Sequence, residues 1–407
     1  MKAILSMQPR HLLEERRALL GIIPRMEMAM TRGANYLIRR FAPHGPIMGA
    51  RDLSYCHKVC WGLFEAGRLD AVEQILDWID AHAKQGVARY YFPEEPPFNK
   101  EMQLLYRFLT FGKVAEAIRH PAFCTEEIRQ EVLTYQHPCG GVFANKDLPE
   151  YRRSLEPLNT SFFGIWALAA GLTEAARKAG DFLVRMVELN EPYLNSEPGR
   201  FYFNFDPHTE ELITNPDPDG KVNCYVDTVG AKQHFYMIGT SMALLADLYA
   251  ATHVESYRDA ALRLADFEQR LNPEGLRWPS YCKIAWGAAE LFAVTGDPAH
   301  RQAAANVCDV TFLQAQTASG GWEDMFYPVR DTGVWTKIVY DGRGLVPKSL
   351  QDDGSFGWLA GEEITGEFMG EMGRALHVFR QALGVIEQRL EQGMGENMCI
   401  KHATGNS

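Results

Sequence analysis

Cysteine is scarce in this sequence: eight cysteines stand among 407 residues, and no two form a Cys-x-x-Cys pair. Such a low density is not that of a disulfide-stapled secreted domain, so reduced thiols are expected. Cys56 and Cys60 lie one helical turn apart, but neither a histidine nor a second cysteine pair accompanies them at the spacing of a zinc finger. The sequence therefore predicts no metal site, and no feature of it requires a cofactor.

Long apolar runs and an excess of basic charge are also missing. No segment approaches the ~18–20 consecutive apolar residues of a membrane-spanning helix, and 52 acidic residues against 41 basic ones give a net charge of -11. An acidic protein is poorly suited to the phosphates of nucleic acid or to an anionic membrane surface. The first ten residues contain no apolar stretch of secretory length. We therefore expect a cytoplasmic monomer or small homo-oligomer whose partner is a small-molecule substrate.

Helical periodicity dominates what the sequence does contain, and the helices are of two kinds. One kind has apolar residues at i, i+3 and i+4 and charges on the opposite face, which is typical of a partly solvated helix. The other kind is rich in Gly, Ala, Ser and aromatic residues, which predicts burial on more than one face. The amphipathic helices are expected at about 11–40, 69–84, 114–135, 173–190, 254–271 and 298–316. The small-residue helices are expected at about 52–66, 99–111, 157–170, 231–251, 280–295 and 362–382.

A glycine followed by aromatic residues recurs between an amphipathic helix and the next small-residue helix, which indicates an internal repeat. Five clear copies and a degenerate first one lie at 86–92, 140–143, 199–205, 275–279, 320–326 and 45–49. Six outer helices alternating with six inner ones predict an all-α (α/α)6 toroid, with short β-hairpins in loops such as 201–213. We expect one domain over 1–407, with 383–407 as a C-terminal extension and a flexible tail. An open solenoid, the alternative, needs more uniform repeats and polar caps.

The stretch 312–322, Phe-Leu-Gln-Ala-Gln-Thr-Ala-Ser-Gly-Gly-Trp, resembles the Gln-Trp repeat of terpenoid cyclases and the Gly-aromatic repeat of protein prenyltransferases, and 136–143 is similar to a weaker copy. The resemblance implies inner helices around a deep, aromatic-lined cavity in which an apolar, often isoprenoid, substrate undergoes acid–base chemistry. The chain has no Asp-x-Asp-Asp motif, with which class II terpene cyclases protonate their substrate. Sugar epimerases, unsaturated-uronyl hydrolases, lanthionine cyclases and linalool dehydratase-isomerase are similar at this level of helical rhythm.

Two groups of residues on the loop side of the ring fit proton transfer. Glu323 and Asp324 are adjacent carboxylates next to an aromatic wall, and a desolvated pocket would raise at least one pKa and create a general acid. Asp227 stands within two helical turns of His234 and Tyr236, where a carboxylate would fix the tautomer of an acid–base histidine. The ordinary alternatives are solvated turn residues in the first group, and a loop cap with a core histidine in the second.

A repeated Tyr-Cys pair followed by a basic residue opens two of the small-residue helices. Tyr281, a further candidate for proton transfer, precedes Cys282 and Lys283, and the other copy is 55–57. A thiol nucleophile would need His57 or Lys283 as its neighbouring base or positive charge, but buried cysteine is more often a small apolar filler.

The start of the last small-residue helix and several aromatic loops contain the remaining polar and stacking candidates. The positive end of the helix dipole favours carboxylates. Helix capping is therefore expected of Glu362, Glu363 and Glu367, which lie at the start of this helix. The candidate substrate-binding residues are Trp322, Tyr236, Trp278, Phe326, Tyr91 and Asn159.

Three functions fit these features. The first is a cyclase, isomerase or dehydratase acting on a largely apolar, terpenoid-like molecule by acid–base catalysis. The second is a carbohydrate-active epimerase or lyase, in which aromatic residues stack on sugar rings and carboxylates act on them. The third is a non-catalytic interaction protein. The lining of the cavity discriminates between them: apolar walls favour the first, a dense polar network the second, and a plugged ring the third.

Overall fold

The computed structural model describes residues 4, 8–42, 45–46, 51–95, 100, 103–148, 154–215, 224–322 and 361–404, together with four short strands between 326 and 346. This part of the chain contains twelve α-helices, whose odd numbers form an outer ring and whose even numbers form an inner ring. The outer helices are α1 (Pro9–Arg40), α3 (Leu69–Ala83), α5 (Glu126–Leu133), α7 (Thr173–Leu194), α9 (Glu255–Glu268) and α11 (Pro298–Val307). The inner helices are α2 (Val59–Glu65), α4 (Leu104–Ile118), α6 (Pro157–Ala169), α8 (Tyr236–Thr252), α10 (Cys282–Thr295) and α12 (Gly361–Thr404).

The inner helices form a closed ring, because each contacts the next and α12 returns to contact α2. They run in the same direction around it. Gly366 of α12 packs on the Lys58 backbone at the start of α2, and Gly373 packs on Glu65 at its end, so an added Cβ would meet those residues at 2.6 and 2.4 Å. The prediction of an (α/α)6 toroid is confirmed.

Local sequence signals explain where most of the helices begin and end. Thr125 and Asp297 cap the starts of α5 and α11 by accepting hydrogen bonds from backbone amides two or three residues ahead. Gly296 ends α10 in the left-handed conformation, with φ of +69°. The predicted boundary at 111–114 was wrong, since Gly112 lies inside α4 against Phe108 and Trp166. This glycine permits close packing and does not break the helix.

Short antiparallel strand pairs decorate the loops that lead from outer to inner helices. The pairs are Phe41–Ala42 with Gly45–Pro46, Lys84–Gly86 with Arg89–Tyr90, Arg200–Tyr202 with Tyr225–Asp227, Phe205–Asp206 with Glu211–Leu212, Phe326–Pro328 with Trp335–Lys337, and Val339–Tyr340 with Leu345–Val346. The predicted hairpin over 201–213 forms only from 205 onward, because the strand before it pairs with residues 225–227 instead.

Two segments, 136–141 and 316–321, have a glutamine four residues before a Gly-Gly pair, and they adopt the same structure. The side chain of Gln136 donates to the carbonyls of Gly140 (3.1 Å) and Ala175 (3.0 Å), and that of Gln316 donates to the carbonyls of Gly320 (2.8 Å) and Ala29 (2.9 Å). In both segments the glutamine therefore ties its own turn to the next outer helix. The second copy joins the last loop to the first helix and so helps to close the ring.

An aromatic layer fills the middle of the ring. Trp61, Phe162 and Trp286 come from three different inner helices, with ring centroids 5.3–6.0 Å apart. The Lys113 amine lies 3.2 Å from the centroid of Trp61. This layer separates the loop side of the ring, where the inner helices begin, from the opposite side, where they end in short turns.

Candidate active site

Ionisable side chains gather at the starts of the inner helices. Lys58 precedes α2, Lys283 is the second residue of α10, and three glutamates, Glu363, Glu367 and Glu371, follow one face of α12 at intervals of one turn. We call these five residues the charge cluster. Each of the five residues is 3% exposed or less. Buried charges at this density must be paired with one another, because isolated ones are too costly to desolvate.

The members of the charge cluster alternate in sign along the ring axis. The Lys58 ammonium lies 3.1 Å from Glu363 and 2.9 Å from Glu367. Lys283 contacts Glu367 on its other side and lies 2.9 Å from Glu371. Glu367 therefore bridges two lysines from the inner helices on either side of α12.

The pKa values of the glutamates are driven apart by these contacts. Burial alone would raise the pKa of Glu367, but Lys283 and Lys58 together hold it below the usual range of a glutamate. Burial raises the pKa of Glu363 to about 7, against a smaller opposing effect of Lys58. Glu367 is thus a permanent counterion, whereas Glu363 exchanges a proton near neutral pH.

His57 is the acceptor that faces Glu363. Its Nδ1 lies 3.0 Å from the Leu53 carbonyl oxygen, which only accepts hydrogen bonds, so Nδ1 carries the hydrogen. Burial, Arg107 and Lys58 lower the pKa of His57, which keeps the ring neutral. Nε2 then presents a lone pair 3.5 Å from the Glu363 carboxyl. The two residues form a pair that is complete when Glu363 carries the proton.

Arg107 holds the loop that carries His57 and Lys58. It is 1% exposed, forms an ion pair with Glu95, and lies 3.0 Å from Asp52. The second oxygen of Glu95 accepts the backbone amides of Leu53 (2.9 Å) and Phe92 (3.0 Å). The start of α4 therefore fixes the chain just before α2.

His234 and Tyr236 form a second proton-transfer pair across the ring. The Tyr236 hydroxyl lies 2.8 Å from His234 Nδ1. Burial lowers the pKa of His234 to about 4 and raises that of Tyr236, so both groups are neutral at pH 7. Both side chains keep some exposure, and the Lys283 ammonium lies 5.7 Å from the Tyr236 ring. Lys283 thus connects this pair to the charge cluster.

Asp227 is not the partner of His234 that the sequence analysis expects. Its carboxylate accepts the backbone amides of Val229 (3.0 Å) and Gly230 (2.7 Å), and this geometry makes it a turn cap. Tyr281 likewise points away from the cluster, since its hydroxyl donates to Glu268 of outer helix α9 at 2.8 Å. The spacing of these residues in the sequence does not show which way the side chains of Asp227 and Tyr281 point.

The predicted substrate-binding residues lie in different environments. Trp322 is fully buried, and its indole donates to the Phe312 carbonyl at 2.9 Å, so this ring is a core element. Trp278 is also buried, 5.3 Å from the Lys232 ammonium. Asn159 donates to Glu156 at the start of α6, and Tyr91 is half-buried at the end of a strand pair. Glu323, Asp324 and the side chain of Phe326 lie outside the described residues.

The charge cluster is what sequence reasoning missed. Glu363 and Glu367 were expected to cap α12, yet their carboxylates bind Lys58 from another helix. Their spacing with Glu371, four residues at each step in a stretch, 361–373, whose one other charged residue is Glu362, was the available signal. Burial raises the pKa of both the Cys56 and the Cys282 thiol, which favours the alternative of small apolar fillers.

One group of side chains in the described part of the chain has the spacing of metal ligands. The ligand atoms of Cys282, Glu367 and Glu371 lie within 4.8 Å of one another. The Lys283 ammonium binds both of these carboxylates, so a positive charge already stands where a cation would bind. The donor set therefore fits a lysine better than a metal ion.

Comparison with known proteins identifies the fold and not the family. No family model matches the chain, and no curated protein matches it. A family 76 glycoside hydrolase from a bovine Bacteroides thetaiotaomicron strain aligns with a TM-score of 0.52 and 13% identity, over 88% of this chain and 78% of that chain. The α-1,6-mannanase of Salegentibacter sp. HEL1_6 aligns at 0.52 and 12%, over 86% and 99%. A D-mannose isomerase aligns at 0.53 and 10%, over 88% and 97%.

These similarities correct the resemblance drawn from the sequence. The toroid is supported, but the aligned structures are not terpenoid cyclases. In the segment 316–322 that carries the resemblance, Gln316 donates one hydrogen bond to its own turn and one to helix α1, a structural role that accounts for the glutamine. None of the described helices is both long and apolar enough to cross a bilayer.

Proposed function

We propose that this protein is a carbohydrate-active enzyme that moves protons on a sugar, as an isomerase, epimerase or lyase. The observation that carries the proposal is the charge cluster at the starts of the inner helices, flanked by the neutral pairs Glu363–His57 and His234–Tyr236. A dense polar network of this kind is suited to a hydroxyl-rich substrate. An apolar terpenoid would have to be desolvated against buried charges without compensating hydrogen bonds.

The two pairs would share the work of proton transfer. One group removes a proton from the carbon next to the sugar carbonyl while the other gives a proton to the carbonyl oxygen, which forms an enediol. For isomerisation the proton returns to the former carbonyl carbon while the hydroxyl on the adjacent enediol carbon gives up its proton and becomes the new carbonyl. For epimerisation the proton returns to the other face of the original carbon while the protonated carbonyl oxygen gives its proton back. Glu363 has a pKa suited to removing the proton from the carbon. The Tyr236 hydroxyl, with His234, would give the proton to the carbonyl oxygen.

The lysines would stabilise the negative charge that develops on the substrate oxygen. Lys58 and Lys283 lie at the starts of inner helices α2 and α10, and the positive ends of these two helix dipoles add to the potential there. Glu367 keeps both ammonium groups in place. The D-mannose isomerase and the α-1,6-mannanase that share the fold act, by their names, on mannose or its polymers, so mannose and related sugars are the first substrates to test.

The test is solvent exchange. The protein is incubated in D₂O with a panel of aldoses, ketoses and uronates that can undergo elimination. Proton NMR then follows deuterium entering the carbon next to the carbonyl. We expect exchange with at least one sugar, and a loss of ~10²–10⁴-fold in Glu363→Gln. Release of new reducing ends without exchange would show a hydrolase and contradict the proposal, as would exchange that Glu363→Gln leaves unchanged.

A further inference from the structure

A cavity opens on the side of the ring opposite the loops, beyond the aromatic layer. Its volume is about 160 Å³, and it lies among the ends of the inner helices. Trp61 and Trp286 form its floor, and Glu65, Lys113, Asp247 and Arg374 supply its polar groups. We call it the rear pocket. Because the aromatic layer stands between them, it is distinct from the charge cluster.

Three nitrogen donors of the rear pocket have no hydrogen-bond acceptor among the described residues. They are the Lys113 amine, the Arg374 Nε and the Trp286 Nε1. Lys113 is 7% exposed and Trp286 is 1% exposed, so bulk water does not readily satisfy them. Three aromatic rings surround the Lys113 amine, which lies 3.2, 4.6 and 4.8 Å from the centroids of Trp61, Phe162 and Trp286. Buried donors in this state call for a ligand or ordered water that brings acceptors.

The same pocket also presents acceptors. The Asp247 side chain lines the cavity and keeps partial exposure. Glu65 accepts the Trp61 indole at 3.3 Å, which leaves carboxylate lone pairs for a further donor. A ligand that fits must therefore both accept and donate hydrogen bonds over a few ångströms, which is the property of a hydroxyl group.

Charge excludes ionic ligands from the rear pocket. Two basic groups, Lys113 and Arg374, stand beside three carboxyl groups, those of Glu65, Asp247 and Glu290, and Glu290 lies 2.5 Å from Arg374. Burial and Glu290 raise the pKa of Asp247 to about 8, which leaves it largely neutral at pH 7. Burial also lowers the pKa of Lys113 and raises that of Glu65, and Arg374 is already paired with Glu290, so these groups offer neither an anion nor a cation an unpaired counter-charge. The ligand with least repulsion is neutral.

We propose that the rear pocket binds one neutral, polyhydroxylated six-membered ring, the size of a single pyranose or cyclitol. A cavity of about 150 Å³ holds a benzene ring, so the rear pocket has room for one six-membered ring, whose outer hydroxyls would extend into the opening of the cavity. Flat indole faces complement the C–H faces of such a ring, while the mixed donors and acceptors bind its hydroxyls. The inference does not rest on the proposed function, because none of the residues of the charge cluster lines this pocket.

The experiment uses two probes that have no carbonyl and cannot be isomerised, methyl α-D-mannopyranoside and myo-inositol. Saturation-transfer NMR and tryptophan fluorescence measure binding to the full chain. We expect at least one probe to bind, and a loss of tenfold or more in affinity for Lys113→Met and for Asp247→Leu. Lys84→Met removes an exposed lysine outside both sites, serves as the matched control and should leave this binding unchanged, whereas Tyr236→Phe detects binding at the loop side instead.

Three results would overturn the proposal. Neither probe binds; binding is lost in Tyr236→Phe and kept in Lys113→Met; or benzoate or benzylamine binds more tightly than both neutral probes. Circular dichroism checks that the variants fold. If Lys113→Met does not fold, Ala169→Phe tests the same point, because Ala169 is exposed at the rim and a larger side chain there obstructs the opening without removing a charge.

Discussion

Lys58 and Glu367 form a 2.9 Å ion pair between the first and last inner helices, across 309 positions of sequence. This pair lies at the point where the ring closes and at the centre of the candidate active site. Closure of the fold and assembly of the site are therefore the same event, which gives the first prediction.

Glu367→Gln should destabilise the protein by about 3–5 kcal/mol, because two buried ammonium groups lose their shared counterion. Glu27→Gln is the matched control, since Glu27 of α1 also forms an ion pair with a residue of α12, Arg380, but both side chains are exposed. Its loss should stay within about 1 kcal/mol. Urea denaturation measures both. Equal small losses would mean that the charge cluster is far better hydrated than its burial indicates.

Glu363 should make stability depend on pH. Its pKa is raised to about 7 in the folded protein from 4.5, so the folded state binds more protons between these values. Its contribution is therefore fully present below about pH 4.5 and is lost as pH rises through 7, with a slope of at most about 1.4 kcal/mol per pH unit.

The comparison of wild type with Glu363→Gln isolates this effect. His57 and His234 have lowered pKa values and act in the opposite direction, because they oppose folding as pH falls, but they are common to both proteins. Denaturation at pH 5, 6 and 7 should show a wild-type stability that declines relative to the variant. Parallel curves would assign the titration to another group.

His234→Gln should lower turnover ~10²–10⁴-fold on whichever sugar shows exchange, with little change in stability, because an uncharged amide keeps a hydrogen bond to Tyr236 but cannot cycle a proton. Thermal unfolding provides the control for structure. A variant that unfolds more easily yet keeps its turnover would make His234 a structural residue.

Asp324→Asn tests the acid that the sequence analysis places on the last long loop. The substitution preserves shape and removes the ionisable group, so turnover should fall in the same range if Asp324 or its neighbour Glu323 protonates the substrate. The double variant with Glu363→Gln distinguishes the two assignments. Losses that do not add indicate one shared proton path, and additive losses indicate separate roles.

Gly320→Ala should destabilise the ring closure by more than about 1 kcal/mol. The φ of Gly320 is +97°, and an added Cβ would lie 2.6 Å from the Arg32 carbonyl of α1. Gly21→Ala is the opposite control, because Gly21 lies on an exposed face of α1 with no atom within 4 Å, and alanine should stabilise that helix by about 0.4–1 kcal/mol. Chemical denaturation measures both, and a neutral Gly320→Ala would mean that the turn can move off α1.

The sequence by itself determined the two kinds of helix, their number and their alternation, because burial on one face or on all faces leaves a direct trace in composition and period. It also determined the turn at Gly140 and Gly320, since each follows a glutamine four residues earlier that can reach its carbonyl. Only the tertiary structure decided which way polar side chains point. Asp227 and Tyr281 lie in loops whose direction depends on neighbouring helices, and they turn away from the ring axis. Lys58, Lys283 and Glu367 belong to three helices far apart in sequence, and a buried charge is tolerable only once its partners arrive. Closure of the ring supplies those partners, and no local pattern contains that information.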